Sequence, residues 1–337
     1  MRPLMFGEIL DGAFQAIRRN AKAMLGAALL SQSLAAIVAA AAATVTSVRS
    51  LEAWAGTVGP AQVASVGIGF IATVLLFSVL ALFVSVVLQG AMVVPVARSV
   101  LNRTTGFRLM WQLSRSRTGA LVRLAGLLMA AGVLAVVLLG AATALLFSNV
   151  RGMGILLAIP MFFAFVLLFA WVAVKLMVAP AAVVIEELGA FAGLRRSWEL
   201  TRANWWRIFG ITAVVSILVG VISQVVLIPV SLLAGVLASV VSPHGGSGQE
   251  AAVSVAAGIA TAVFGALAGA VGYAFQTSVM ALLYLDLRMR KDGLDIVLLR
   301  QHESGADPGV PGRDVLPGTA GPYPGNGPAA RGWPDGR

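Results

Sequence analysis

The residues able to do chemistry in this chain are few and widely spaced. His244-Gly-Gly-Ser247-Gly resembles a serine-nucleophile or oxyanion loop, because its glycines leave backbone N–H groups open beside a hydroxyl and an imidazole. Catalysis of that kind needs a strained strand-to-helix turn and a third group that orients the base. Only Glu250 lies close in sequence and no strand pattern flanks the loop, so the segment reads as a flexible outer loop. His244 and His302 are the only histidines and cysteine is absent, which excludes disulfides, thiolate metal sites and a cysteine nucleophile. No P-loop, dinucleotide-binding glycine fingerprint or HExxH segment occurs. No catalytic, metal-ligating or cofactor-binding residue is expected, and the chain reads as a non-enzyme without a cofactor.

Charged groups next to apolar runs are the other pointer to function. Lys175, in FAWVAVKLMVAP, lies about 30 Å down a helix counted from Ile155, at the membrane boundary, where its ammonium can snorkel to water. Glu186, Glu187, Asp286 and Arg288 also fall at the ends of apolar runs. Together with Glu8 and Asp11 they can pair with neighbouring bases as a charged collar that sets helix register. No Asp, Glu or His stands at mid-span, which argues against a proton-coupled pump. Gln89, Gln224, Gln276, Thr277 and Ser278 are the polar groups within spans, suited to interhelical hydrogen bonds, with a pore lining as the lesser reading. Gly265, Gly269 and Gly272 share a helix face and suit close helix packing.

The elements that hold these groups follow from composition. Of 337 residues, 59% are hydrophobic and only 11% charged, too few to cover a water-facing surface. The class is an all-α polytopic membrane protein. Six apolar runs are long enough to cross: about 24–48, 65–95, 121–147, 155–182, 208–240 and 252–285. Arg49 and Arg151 are the only bases in the first, third and fifth connections, whereas Arg and Lys crowd the other side. The bias of bases toward the cytoplasm places both termini there, in the bacterial cytoplasmic membrane. It also accounts for the net charge of +10 without nucleic acid.

Each pair of spans is preceded by an amphipathic stretch. In Phe191–Gly210, FAGLRRSWELTRANWWRIFG, the residues Phe191, Leu194 and Trp198 recur at helical spacing, opposite Arg195, Arg196, Glu199 and Arg202. Trp205 and Trp206 stand where an interfacial helix turns into the bilayer. Residues 6–20 and, more loosely, 107–126 repeat the device: Asn20 under Asn204 aligns Arg18 with Arg202 and Gly26 with Gly210. The middle copy needs a shift of about three residues to place its glycine. The chain therefore reads as a threefold repeat with units of about 6–95, 103–182 and 189–287, within a transmembrane domain 1–301. Arg18, Arg19, Arg195, Arg196, Trp198, Arg202, Trp205 and Trp206 are the candidate contacts to anionic lipid headgroups. A membrane protein partner or a second copy of the chain is the other occupant they allow, and a transporter or channel for a small or lipidic solute is the alternative function. Residues 302–337 are dense in Gly and Pro and are expected to be a disordered cytoplasmic tail.

The pieces GEILDGAF (7–14), LRRSWELTRANWWRIFG (194–210) and ALLYLDLRMRKDGLD (281–295) resemble actinobacterial membrane proteins named after the membrane domain of glycerophosphoryl diester phosphodiesterases. The resemblance covers about residues 3–300. It implies membrane topology and a lipid context. It carries over no catalytic residue, since no phosphodiesterase barrel is present.

Overall fold

The computed structural model describes residues 5–45, 60–149, 154–202, 204–241, 247–304, 307 and 309–313. Arg49, Arg151, His244 and the tail beyond Arg313 lie outside these residues. Among the described residues the chain is helical throughout, and six helices are long and apolar enough to cross a membrane. In chain order the helices are α1 (Phe6–Arg19), α2 (Ala21–Val45), α3 (Pro60–Val100), α4 (Phe107–Ser114), α5 (Thr118–Asn149) and α6 (Gly154–Leu176), then α7 (Ala179–Ile185), α8 (Ala190–Thr201), α9 (Trp205–Val241), α10 (Ser247–Asp292) and α11 (Leu294–Glu303).

The spans form three hairpins, α2/α3, α5/α6 and α9/α10, entered through the amphipathic helices α1, α4 and α8. Their contacts are cyclic. The second helix of each hairpin packs on the first helix of the next: α3 on α5, α6 on α9 and α10 on α2. Each entry helix lies on the second helix of the preceding hairpin, α1 on α10, α4 on α3, and α8 on α6 and α7. Backbone geometry repeats as well. The residues that start α1, α4 and α8, Met5, Gly106 and Gly189, have φ/ψ of −79/164, −77/164 and −74/167. The second helices of the three hairpins are followed by left-handed residues, Asn102 (φ 63) after α3, Glu187 (φ 54) after α6 and α7, and Gly293 (φ 64) between α10 and α11. Such a residue turns the chain out of a helix while letting the last carbonyls find donors.

Asn20 and Asn204 occupy equivalent elbows, each accepting through its carbonyl the first hydrogen bond of the following span, from Met24 and Ile208. Asn20 also ties two units together, because its side-chain oxygen accepts from the Thr105 N–H at 2.6 Å. In the middle copy a short 3-10 turn, Arg115–Arg117, replaces the last turn of the entry helix.

The packed core sits at the basic end of the bundle. It joins Ala23, Met24, Ala27 and Ala28 of α2 to Ala91–Val94 of α3, Ile208 and Ile211 of α9, and Val279–Leu285 of α10. Small residues let α10 approach its neighbours: a Cβ on Gly272 would stand 2.4 Å from Val219 of α9, and one on Gly269 2.9 Å from Gln32 of α2. Tyr273 of α10 adds a polar tie to α3, donating to the Ser85 carbonyl at 2.6 Å. Toward the other end the helices face outward. The most apolar window of Leu76–Val100 is 56% buried and that of Leu156–Ile185 only 6%, so the middle hairpin leaves most of its apolar surface uncovered by protein, as a membrane span does.

Candidate functional site

The polar centre of the molecule lies where the three second helices end. Glu186, just past α7, is sealed off from solvent by Arg196 of α8 and by Tyr284 and Arg288 of α10. It accepts from Arg196 Nε at 2.9 Å and from the Tyr284 hydroxyl at 2.7 Å, with Arg288 Nε at 3.5 Å. Asp292 closes the cluster, taking Arg288 Nε at 3.2 Å and Arg196 Nη2. Two carboxylates thus balance two guanidiniums in a volume where an unpaired charge would cost several kcal/mol, about 3–5 for a broken pair. Burial alone would lower the proton affinity of Arg196, but Glu186 and Asp292 outweigh it and hold the guanidinium's pKa above its usual range. A second knot binds α9 to α10: fully buried Asp286 accepts from Arg207 at 2.6 Å and from Arg290 at 3.0 Å.

A segment expected to be disordered completes this centre. The chain folds back after α11, and Asp307 and residues 309–313 form a strap across the basic end. Arg98 of α3 grips the Asp307 carboxylate with both Nη atoms, at 2.8 and 3.0 Å, and donates to the Gly309 carbonyl at 2.6 Å. Arg288 Nη1 donates to the Gly312 carbonyl at 2.9 Å. Arg313 reaches Glu187 at 3.2 Å, and Glu187 also meets Arg117 at 3.2 Å. Val310, Pro311 and Gly312 are buried. Glycine and proline content argued for disorder, but the buried arginines supply docking points that composition does not show. Gly309 and Gly312 hold left-handed backbone (φ 68 and 79), and a side chain on Gly312 would meet Leu294 at 2.9 Å. The hydrogen bonds from Arg98 hold the Asp307 carboxyl below the ordinary carboxylate pKa, against a smaller opposing effect of burial.

Of the collar residues, the structure brings Glu186, Asp286 and Arg288 into buried ion pairs and Glu187 into a half-buried one. Glu8 and Asp11 stand apart on α1, where Glu8 accepts from the Met5 N–H at 2.8 Å and Asp11 from Gln15 at 2.9 Å. Lys175 runs between two indoles. It is 5% exposed, with Nζ 5.7 Å from the Trp171 ring centre and 5.4 Å from that of Trp198. The ion-pairing residues Asp292, Arg207, Arg98 and Asp307 went unread in the sequence, although Arg288/Asp292 and Asp286/Arg290 carry the i,i+4 spacing of helical ion pairs.

Among the headgroup candidates, Arg18, Arg19, Arg195 and Arg202 are exposed. Trp206 is 77% exposed, whereas Trp205 stacks on Phe209 at 5.1 Å. Arg196 is a correction: it points inward to Glu186, because α8 packs through its small and polar face. Gly193 leaves room for Val183, and Ser197 donates to the Lys175 carbonyl at 2.7 Å. The aromatic residues of α8 face outward instead, Phe191 at 74% and Trp198 at 39% exposure, while Leu200 joins the core. Gln224 and Gln276 also face outward, with Gln276 donating to Ser216 at 3.3 Å. A groove of about 210 Å³ lies beside α1, with an apolar floor including Leu282, Leu285 and Leu298 and with Glu8, Gln15 and Arg19 at its rim.

A family model for a domain of unknown function, DUF7847, matches residues 5–287. The chain belongs to that family. The matched region takes in all three entry helices and hairpins, together with Glu186, Arg196, Tyr284 and Asp286, and stops short of Arg288, Asp292 and the strap. No curated protein and no solved structure matches.

Proposed function

We propose that this protein is a non-catalytic integral membrane protein of the bacterial cytoplasmic membrane that gathers anionic lipid headgroups at its basic end, with both termini in the cytoplasm. One observation carries this reading. The entry helices turn large apolar side chains outward next to exposed arginines. On α8 these are Phe191 and Trp198 beside Arg195 and Arg202, followed by Trp206, and on α1 Phe14 beside Arg18. Side chains of that kind rest at the boundary between acyl chains and headgroups, where arginines meet phosphates. Buried Arg98, Arg196, Asp286 and Arg288, by contrast, are engaged in ion pairs that tie segments of the chain together, which supports a scaffold rather than a catalyst. The resemblance of residues 7–14, 194–210 and 281–295 to that membrane-domain family is in keeping with a lipid context.

The test neutralises Arg18, Arg19, Arg195 and Arg202 together as glutamines. Each basic residue near an anionic surface contributes about 1 kcal/mol, so retention of phosphatidylglycerol on the purified protein should weaken by on the order of a hundredfold or more. Native mass spectrometry counts the lipids retained. Unchanged retention would refute the proposal.

A further inference from the structure

Resting on the anionic-headgroup reading, we propose that Lys175, Arg202 and Lys291 form a specific seat for one phosphate group, walled by Trp171 and Trp198. The seat is built before any ligand arrives. Trp171 of α6 and Trp198 of α8 meet edge to face, with ring centres 5.3 Å apart and planes at 90°, and both lie within 6 Å of the Lys175 ammonium. The lysine backbone is pinned as well, since its carbonyl accepts from Ser197 Oγ at 2.7 Å and from Thr201 Oγ1 at 3.4 Å.

What this arrangement lacks is an anion. The buried arginines Arg98, Arg196 and Arg288 each meet a carboxylate. Lys175 has none within ion-pair distance among the described residues, although it is 5% exposed. Two further positive charges stand at this end of α8: Arg202, one turn after Trp198, and Lys291, whose Nζ donates to the Glu199 carbonyl at 2.6 Å. Glu199 does not fill the gap: its carboxylate is held by Arg195 at 3.0 Å, and it offers Lys291 only its backbone carbonyl, at 2.6 Å. Asp292 is taken by Arg196 and Arg288. Two indole faces attract a cation by about 0.5–2 kcal/mol each but cannot neutralise it. The ammonium therefore keeps a positive charge that no neighbouring carboxylate balances and that an anion would neutralise.

The position selects the class of anion. Lys175 sits in the last turn of a membrane span, at the level of exposed tryptophans, which is the depth of lipid phosphates. A glycerophospholipid phosphate placed there meets all three cations, while its acyl chains lie along the exposed face of α6, past Phe163 and Leu167. A soluble phosphate would satisfy the same cations from the aqueous side.

The experiment compares full-length wild type with Lys175→Met and Lys175→Arg. Thermal midpoints are read in phospholipid-free nonionic detergent, in phosphatidylcholine nanodiscs, in the same nanodiscs with added inorganic phosphate, and in nanodiscs containing phosphatidylglycerol. In lipid-free detergent Lys175→Met should melt above wild type, because it removes an unpaired buried charge. Phosphatidylglycerol or phosphate should raise wild type and Lys175→Arg by more than Lys175→Met, reversing the order. A response to phosphatidylglycerol alone assigns the seat to a lipid headgroup, and a response to inorganic phosphate assigns it to a soluble one. If Lys175→Met melts below wild type without lipid, or responds to both anions as wild type does, the seat does not exist. Arg18→Gln, Arg19→Gln and Arg195→Gln, combined, separate the two readings: they weaken overall lipid retention while leaving the Lys175-dependent shift in place.

Discussion

Replacing Glu186 by glutamine tests the buried charge cluster most sharply. The wild-type cluster holds two carboxylates, Glu186 and Asp292, against two guanidiniums, Arg196 and Arg288. Glu186→Gln keeps the shape but leaves one positive charge in excess, on groups whose side chains are 10% and 0% exposed. Removing one partner of a buried pair costs about 3–5 kcal/mol. At about 2–4 °C per kcal/mol for a chain of this size, the thermal midpoint in detergent should fall on the order of 10 °C. The control is Glu199→Gln, whose pair with Arg195 has side chains 84% and 51% exposed and should shift stability by about 0–1 kcal/mol. Adding Arg196→Met to Glu186→Gln restores charge balance, so the double variant should melt above the single. A single variant that melts like Glu199→Gln, or a double variant that melts lower still, would refute the reasoning.

The remaining predictions concern the strap, the packing of α8 and the sidedness of the chain. Val310→Asp places a charge in a buried site, so it should release the strap and expose it to limited proteolysis while the spans stay protected. Because the Asp307 pKa is depressed in the folded protein, the strap contact is at full strength above the ordinary Asp value of about 3.9. It is lost as pH falls through the lower folded-state value, and hydrogen exchange of residues 309–313 should rise there and not at neutral pH. Gly193→Ala puts a Cβ 2.4 Å from Val183 Cγ2, and the overpacking should cost about 1–3 kcal/mol, read as a lower thermal midpoint. Since the chain has no cysteine, Gln15→Cys, Ser116→Cys and Glu199→Cys should all react with an impermeant maleimide from the cytoplasmic side, and Ser148→Cys only from the other. Labelling from opposite sides within the first three would contradict the three-hairpin arrangement.

The spans and entry helices were legible because a membrane leaves apolar length and a basic amphipathic face as plain marks on the sequence. The repeat was legible for the same reason, through Asn20 and Asn204 at equivalent elbows. The facing of α8 was not. Sequence periodicity places Phe191 and Trp198 on one side and Arg196 on the other, and in a soluble protein the aromatic side would be the buried one. In a bilayer the aromatic face can turn to lipid, so Gly193, Ser197 and Arg196 form the packed face instead. The strap was hidden for a different reason. Its order comes from Arg98, Arg288 and Glu187, each far away in sequence, and no local composition reports such partners. Lys175 was read as a snorkelling cation because nothing local placed Trp198 against it.

The central claim is that exposed arginines on the entry helices select anionic headgroups. Spin-labelled phosphatidylglycerol and phosphatidylcholine, reconstituted in turn with the full chain, measure that selectivity directly. Wild type should prefer phosphatidylglycerol, and the preference should shrink with added salt as screening predicts. It should be lost when Arg18, Arg19, Arg195 and Arg202 are all replaced by glutamine. Equal selectivity in wild type and the quadruple variant would contradict the account.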